Sequence, residues 1–153
     1  MRAASVYYKG MFKCDDFLLP QQVLMKRSML GETDFHKELK SFMSDSDMVV
    51  QEISVENQIY KNGDLVVLEM NDVNLLKVGS VQSILVKNNK VYFVCKVYSC
   101  QRSWLQFFES QSCDDQCRFV ESNSILDYKP LIMRGTADKF FFVLHHRVCF
   151  DYK

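Results

Sequence analysis

The sequence has few of the residues that most often interrupt regular structure, with 2 prolines and 5 glycines among its 153 residues. It also lacks an excess of either charge, because 19 Lys and Arg balance 19 Asp and Glu. A general nucleic-acid-binding protein usually carries a basic surplus, so this balance disfavours that class. No Gly-rich phosphate loop and no G-x-S-x-G elbow occurs, and two common catalytic motifs are therefore missing.

Long apolar runs are missing as well. No stretch approaches the roughly 20 apolar residues of a membrane-spanning helix. The first residues, MRAASVYYKG, lack the apolar core of a signal peptide. We therefore expect an intracellular protein, nuclear or cytoplasmic, whose 6 cysteines are reduced. The content of 48% hydrophobic residues is that of a globular chain, and the length suits a single domain over 1–153.

One segment clearly predicts a helix, ETDFHKELKSFMSD at 32–45. Thr33 is a suitable N-cap, and apolar residues recur at helical spacing from Phe35 to Met43. A second short helix is predicted over Gln21–Leu30, because Pro20 is tolerated near the start of a helix. These two helices would form a helical part at 1–47.

From residue 48 onward, β-branched and aromatic residues alternate with period two, which predicts strands. Asn62-Gly63 predicts one hairpin turn and the KNN at 87–89 another. SWLQFFES and CRFVES predict two strands around CDDQC, and KFFFVLHHRVCF predicts the last one. The fold class is therefore α+β: a small antiparallel β-barrel or sandwich of about seven strands over 48–153, preceded by one or two short helices.

The cysteines permit a metal site without specifying one. Zinc ligands are often paired two to four residues apart, and Cys113 and Cys117 fit that spacing. A second pair would be Cys95 and Cys100, but Cys95 falls on the apolar face of its strand, where cysteine acts as a small apolar residue. A zinc site would use Cys113, Cys117 and His145. We expect no metal and no cofactor, and interpret CDDQC as a solvated loop.

The last predicted strand separates the two neighbouring histidines. Successive side chains of a strand face opposite sides of the sheet, so His145 and His146 should not share a site. Acidic residues are scattered at turns and strand ends, where solvation accounts for them. No catalytic residue is predicted.

Aromatic and basic residues alternate between residues 90 and 104, which suggests a recognition surface. A face using Tyr92, Lys96, Tyr98, Arg102 and Trp104 could bind single-stranded nucleic acid through stacking and phosphate contacts. The aromatic rings could instead fill the core of a small barrel. A third option is a protein partner that adds a strand at an exposed sheet edge.

Three stretches resemble a known family: NQIYKNGDLVVLEM (57–70), VGSVQSILVKNNKVYFVCKVY (78–98) and ILDYKPLIMRGTADKFFFVLHHRV (125–148). Together they are similar to the C-terminal β-rich region of vertebrate transposase-derived proteins of the Plavaka or CACTA-like kind. The resemblance covers about residues 50–148. In such proteins the nuclease core and the zinc fingers lie upstream, and nothing here matches them. The resemblance therefore implies an accessory module detached from its enzyme.

These observations rank the possible functions. The first is a non-catalytic interaction module that binds a protein partner. The alternative is a nucleic-acid-binding small barrel, and a metal-dependent enzyme is the second alternative. No membrane association and no small-molecule substrate is expected.

Overall fold

The computed structural model describes residues 17–18, 25–105 and 107–145. Within these ranges the chain forms one α-helix, two single-turn 3-10 helices and twelve β-strands. Helix α1 is Asp34–Phe42. The strands are β1 (Phe17–Leu18), β2 (Met25–Lys26), β3 (Met48–Val50), β4 (Glu52–Val55), β5 (Gln58–Lys61), β6 (Leu65–Asp72), β7 (Leu75–Lys87), β8 (Lys90–Trp104), β9 (Phe107–Cys113), β10 (Arg118–Glu121), β11 (Arg134–Gly135) and β12 (Phe140–Val143).

Helix α1 forms where the sequence predicts it. The Thr33 side chain accepts a hydrogen bond from the His36 N–H at 3.1 Å, which caps the first turn. Asp34 lies in that turn, where the helix dipole favours a negative charge. Leu39 is buried and packs with Leu85 of β7. With 9 residues α1 is too short to cross a bilayer, and the described part of the chain contains no longer helix.

The predicted helix over Gln21–Leu30 is wrong in the part that the structure describes. Met25–Lys26 pairs with β3 in antiparallel fashion, and Arg27–Met29 makes a single 3-10 turn. Met29 is 55% exposed and only Leu30 is buried in this stretch. Pairing of this stretch with the sheet therefore overrides its local helix propensity.

The β7–β8 hairpin is the central element of the main sheet. Its two strands have 13 and 15 residues and pair from Leu75 opposite Gln101 to Lys87 opposite Lys90. Asn88 and Asn89 make the turn with φ of 53° and 61°, a left-handed conformation that asparagine tolerates. The hairpin predicted from KNN is confirmed. The two ends of the hairpin have different neighbours: β7 pairs with β6 and then β3, while β8 pairs with β9 and then β10.

The predicted fold class is confirmed. The main sheet runs β11-β12-β9-β8-β7-β3-β2, with β6 beside β7 and β10 beside β8. It is antiparallel and strongly curled into a half-barrel. A smaller sheet has the order β1-β4-β5. The two short strands β1 and β2 belong to the segment for which the sequence predicts a helical part.

The Asn62-Gly63 turn forms, but the hairpin predicted around it is wrong. β5 and β6, on either side of this turn, belong to different sheets. Gly63 has a φ of 95°, and its N–H donates to the Val81 carbonyl at 2.8 Å, which directs the chain onto β7. A hairpin forms instead at the preceding connection of the chain, between β4 and β5, where Glu56 and Asn57 have φ of 49° and 72°.

SWLQFFES is not one strand. β8 ends at Trp104, the chain turns, and β9 begins at Phe107, which pairs with Trp104. Leu105 takes a φ of 52° in this turn. No Gly, Asn or Asp is present there, so the turn residues that normally mark a hairpin are missing from the sequence.

Each face of β8 contributes to a different core. Val91, Phe93, Cys95 and Val97 belong to the first core, and all four are 2% exposed or less. The predicted burial of Cys95 is confirmed. The side chains on the opposite face of β8 belong to two other clusters of buried residues, and Lys96 is exposed between these clusters.

The second and third cores lie on that opposite face. The second core lies under β9 and β12 and contains Tyr98, Cys100, Phe108 and Phe142. The third core lies under α1, and the residues packed there are Leu30, Leu39, Met43, Val49, Leu85 and Val94, with Tyr92 and Cys117 at its border. Helix α1 and strand β12 therefore cover opposite ends of the same face.

A buried carboxylate connects α1 to the sheet and makes stability depend on pH. The Asp47 side chain is 2% exposed, and its Oδ2 accepts from the Ser44 N–H at 2.7 Å and from Lys87 Nζ at 3.0 Å. Burial by itself would raise the pKa of Asp47, but these hydrogen bonds and the Lys87 charge hold it below its ordinary value. We expect Asp47→Ala to lower the free energy of unfolding by about 2 kcal/mol at pH 7.

The pH dependence of that loss follows from the lowered pKa. The contribution of the carboxylate is complete above the unfolded-chain pKa of about 3.9 and is lost as the pH falls through the lower folded-state pKa. Urea unfolding of the wild type and of Asp47→Ala should be measured between neutral and strongly acidic pH. The difference between their free energies of unfolding should shrink as the pH falls below about 3.9. A difference that stays constant with pH would contradict this role.

Candidate functional site

The five residues of the predicted aromatic and basic face do not form one surface. The Tyr92 ring meets Phe42 of α1 edge-on, with 5.4 Å between ring centroids. Tyr98 is 6% exposed and meets Phe140 edge-on at 4.8 Å. Burial raises the pKa of Tyr98, and the nearby Lys96 ammonium opposes that shift. Both tyrosine rings therefore pack against the cores and do not offer stacking platforms to solvent.

A bulge separates Arg102 from Trp104. Arg102 lies opposite Phe108 and Trp104 lies opposite Phe107, with Ser103 as the extra residue between them. Neighbouring residues Phe107 and Phe108 face opposite sides of the sheet, so Trp104 is on the side away from Arg102. The Arg102 guanidinium lies 4.9 Å from the Phe108 ring centroid, and its Nε donates to the Val73 carbonyl at 3.0 Å.

The bulge creates an exposed apolar row across three adjacent strands. Trp104 of β8 lies opposite Phe107 of β9, which in turn lies opposite Val143 of β12. Their side chains are 65%, 45% and 43% exposed, and the Trp104 and Phe107 rings are stacked with centroids 6.3 Å apart. Phe141 is 45% exposed on the same side of β12. We call Trp104, Phe107, Phe141 and Val143 the aromatic row.

A groove lies beside the aromatic row. It has a volume of about 370 Å³, within the range of pockets that accept side chains or small molecules, and its lining is mainly apolar. The lining residues are Phe107, Ile132, Arg134, Phe141, Phe142, Val143, Leu144 and His145. His145 is partly buried, and its Nε2 is hydrogen-bonded to the Pro130 carbonyl at 2.6 Å.

The groove follows a partly open sheet edge. β11 pairs only with Phe140 and Phe141 of β12. Among the described residues, no strand pairs with the outer edge of β12 at Phe142 and Val143. An edge strand with exposed apolar side chains is a template for another extended chain, and proteins usually protect such edges.

CDDQC connects β9 to β10, and it does so in an unusual way. Both strands pair antiparallel with the same edge of β8, so they run in the same direction along one line. Cys113 lies opposite Tyr98, and Arg118 lies opposite Cys95. The segment 114–117 is therefore an excursion from a nearly continuous strand, and the Asp114 N–H holds it to the Val97 carbonyl at 2.8 Å.

The residues named for a zinc site lie in two different places. Cys113 and Cys117 are on the excursion, while His145 lines the groove beside β12. Burial raises the pKa of both Cys95 and Cys100 to about 12, so these thiols stay protonated. In the described part of the chain, no group of three or more His, Cys, Asp or Glu could hold a metal ion. His146 lies outside the described residues.

Comparison of the chain with protein-family models, with curated proteins and with solved structures finds no match. The resemblance to transposase-derived proteins therefore stays a prediction.

Sequence reasoning identified Trp104 but missed the rest of the aromatic row. The period-two alternation in FFFV does place Phe141 and Val143 on one face and the two buried phenylalanines on the other. The alternation does not predict that β12 pairs with β9 or that the chain turns before Phe107. Those two features bring the four side chains together.

Proposed function

We propose that the chain is a non-catalytic interaction module that binds an extended apolar segment of a partner protein along β12. The observation that carries this proposal is the aromatic row, which runs across three strands and ends at an unpaired edge. Soluble proteins rarely expose a contiguous apolar surface that has no binding role. In the setting of the transposase resemblance, the chain is an accessory module of a domesticated transposase.

Strand addition fits the shape of this edge. The main chain of the partner segment would pair with Phe142 and Val143, and alternate side chains would reach the aromatic row and the groove. Trp and Phe are among the residues that contribute most to protein interfaces. The groove offers a pocket in which one apolar side chain of the partner can be buried.

The charges beside the groove indicate the character of the partner segment. Lys139 and Glu109 neutralise each other with 3.0 Å between Nζ and Oε1. Arg134 lines the groove and is exposed, and no ion pair with another described residue is found for it. A segment with an acidic side chain next to its apolar residues would complement this guanidinium.

Selection from a displayed library of random peptides tests the proposal, because such a library samples many apolar and acidic segments at once. We expect selected peptides to be apolar with an acidic residue. Their affinity, measured by calorimetry, should fall at least about tenfold in the Phe107→Ser, Phe141→Ser double variant, because truncating central interface aromatics typically removes more than about 1.4 kcal/mol. Arg134→Glu should weaken binding of the acidic peptides selectively.

Ile59→Ser is the matched control, because Ile59 is 54% exposed on β5, outside the main sheet, and its loss should leave affinity unchanged. An equal loss of peptide affinity in Ile59→Ser and in the double variant would contradict the proposal. So would selection of no peptide together with binding of single-stranded nucleic acid that weakens steeply with salt, since that behaviour indicates phosphate contacts.

A further inference from the structure

The two cysteines of CDDQC lie on one face of β8. Cys113 directly opposes Tyr98, so it shares the face of that tyrosine. Cys117 packs at the border of the third core, which is on the same face. Lys96 lies on that face between the two positions. The thiols of Cys113 and Cys117 therefore flank a single ammonium group.

The register brings the two thiols close together. From Cys113 to Arg118 the chain advances 5 residues (118 − 113), while β8 advances 3 (98 − 95). Cys113 and Arg118 thus lie only three residues of β8 apart, roughly 10 Å, and Cys117 directly precedes Arg118. The two cysteines are close enough for Cys113 to act electrostatically on Cys117. Cα separations in disulfides are about 4.4–6.8 Å, so closure requires a movement of the excursion, whose residues 114–116 are exposed.

The surroundings give the two thiols different roles. Cys113 is an exposed free thiol that interacts with the hydroxyl of Tyr98. Cys117 is less exposed. Burial raises the pKa of the Cys117 thiol and the Glu38 carboxylate adds to this, while the Lys96 ammonium opposes both. Cys113 is therefore positioned to react first with a solvent oxidant, and Cys117 is positioned beside the product.

We propose that Cys113 and Cys117 are an oxidation-sensitive thiol pair that a peroxide converts to a disulfide. The Cys113 thiolate attacks one oxygen of hydrogen peroxide, the O–O bond breaks, and the products are a sulfenic acid and hydroxide, which takes up the proton lost by the thiol. The Cys117 sulfur then attacks the Cys113 sulfur, forming the S–S bond and releasing water. In total, two thiols and one peroxide give one disulfide and two waters.

This pair does not depend on the proposed binding at β12. The disulfide would connect the end of β9, beside the second core, to the start of β10, beside the third core. Its closure would fix the excursion against Lys96. Reduction by a dithiol would reopen it, so the modification is reversible.

Peptide mass spectrometry tests the pair directly, because one tryptic peptide, SWLQFFESQSCDDQCR at 103–118, contains both cysteines and no other. We expect native protein treated with equimolar hydrogen peroxide to yield this peptide lighter by two hydrogen atoms and resistant to alkylation. The peptide VYFVCK at 91–96 is the internal control, since the buried Cys95 should stay reduced.

Two variants distinguish disulfide formation between Cys113 and Cys117 from a general sensitivity of the chain to oxidant. Cys117→Ser should stop the reaction at a Cys113 sulfenic acid that dimedone traps, and Lys96→Met should slow disulfide formation severalfold without unfolding the chain. The proposal is overturned if the wild-type peptide shows only sulfinic or sulfonic acid at Cys113. It is also overturned if the oxidised cysteines are bonded to another molecule.

Discussion

Phe93→Ala should lower the free energy of unfolding by about 4 kcal/mol, the typical cost of emptying a fully buried aromatic site. The Phe93 side chain is 0% exposed at the centre of the first core, and its ring lies 4.9 Å from that of Tyr60. Tyr60 joins this core to the chain beyond β10, because its hydroxyl donates to the Tyr128 carbonyl. The cavity left by Phe93 would therefore weaken contacts between both sheets.

Phe141→Ala is the matched control for that measurement, because it removes the same atoms from a side chain that is 45% exposed. Urea unfolding followed by circular dichroism should show a loss of less than about 1 kcal/mol for this variant. If Phe93→Ala and Phe141→Ala lowered the free energy of unfolding by comparable amounts, the first core would not be the main source of stability.

Gly79→Ala should be the second strongly destabilising change, with a loss of about 2–3 kcal/mol from overpacking. A Cβ added to Gly79 would lie 2.8 Å from both Cβ and Sγ of Cys95 and 3.0 Å from Cδ1 of Leu68. Cys95 is fully buried between Phe93 and Val97 and cannot move away. The glycine is required here because two strands of the curled sheet bring these side chains against its backbone.

A double-mutant cycle with Cys95→Gly isolates the clash. If the contact with Cys95 causes the destabilisation, the space left by Cys95→Gly should accept the new methyl group at residue 79. The double variant should then lose less free energy of unfolding than the sum of the losses in the two single variants. Strictly additive losses in urea unfolding would show that Gly79→Ala acts in another way.

The sequence predicted the parts of the fold that depend on local chemistry. The alternation along β8 placed Cys95 on the apolar face of its strand, and the KNN at 87–89 marked the central hairpin. These predictions succeed because side-chain direction in a strand and left-handed turns are properties of a few adjacent residues.

The parts that depend on distant pairing could not be predicted. The turn after Trp104 uses Leu105 at positive φ, and the bulge at Ser103 reverses the direction of Trp104; neither has a residue signature. The exposure of Tyr92 and Tyr98 depended on whether α1 and β12 cover them. The rest of the aromatic row was missed because its members, from three strands, come together only in the folded sheet.

The fluorescence of Trp104 tests the central claim most directly. It is the single tryptophan of the chain, it is 65% exposed, and it forms one end of the aromatic row. Titration with a selected peptide should shift the emission to shorter wavelength and protect the indole from iodide quenching, because the partner segment removes it from water. Peptide binding confirmed by calorimetry, with unchanged emission and unchanged quenching, would contradict binding at the β12 edge.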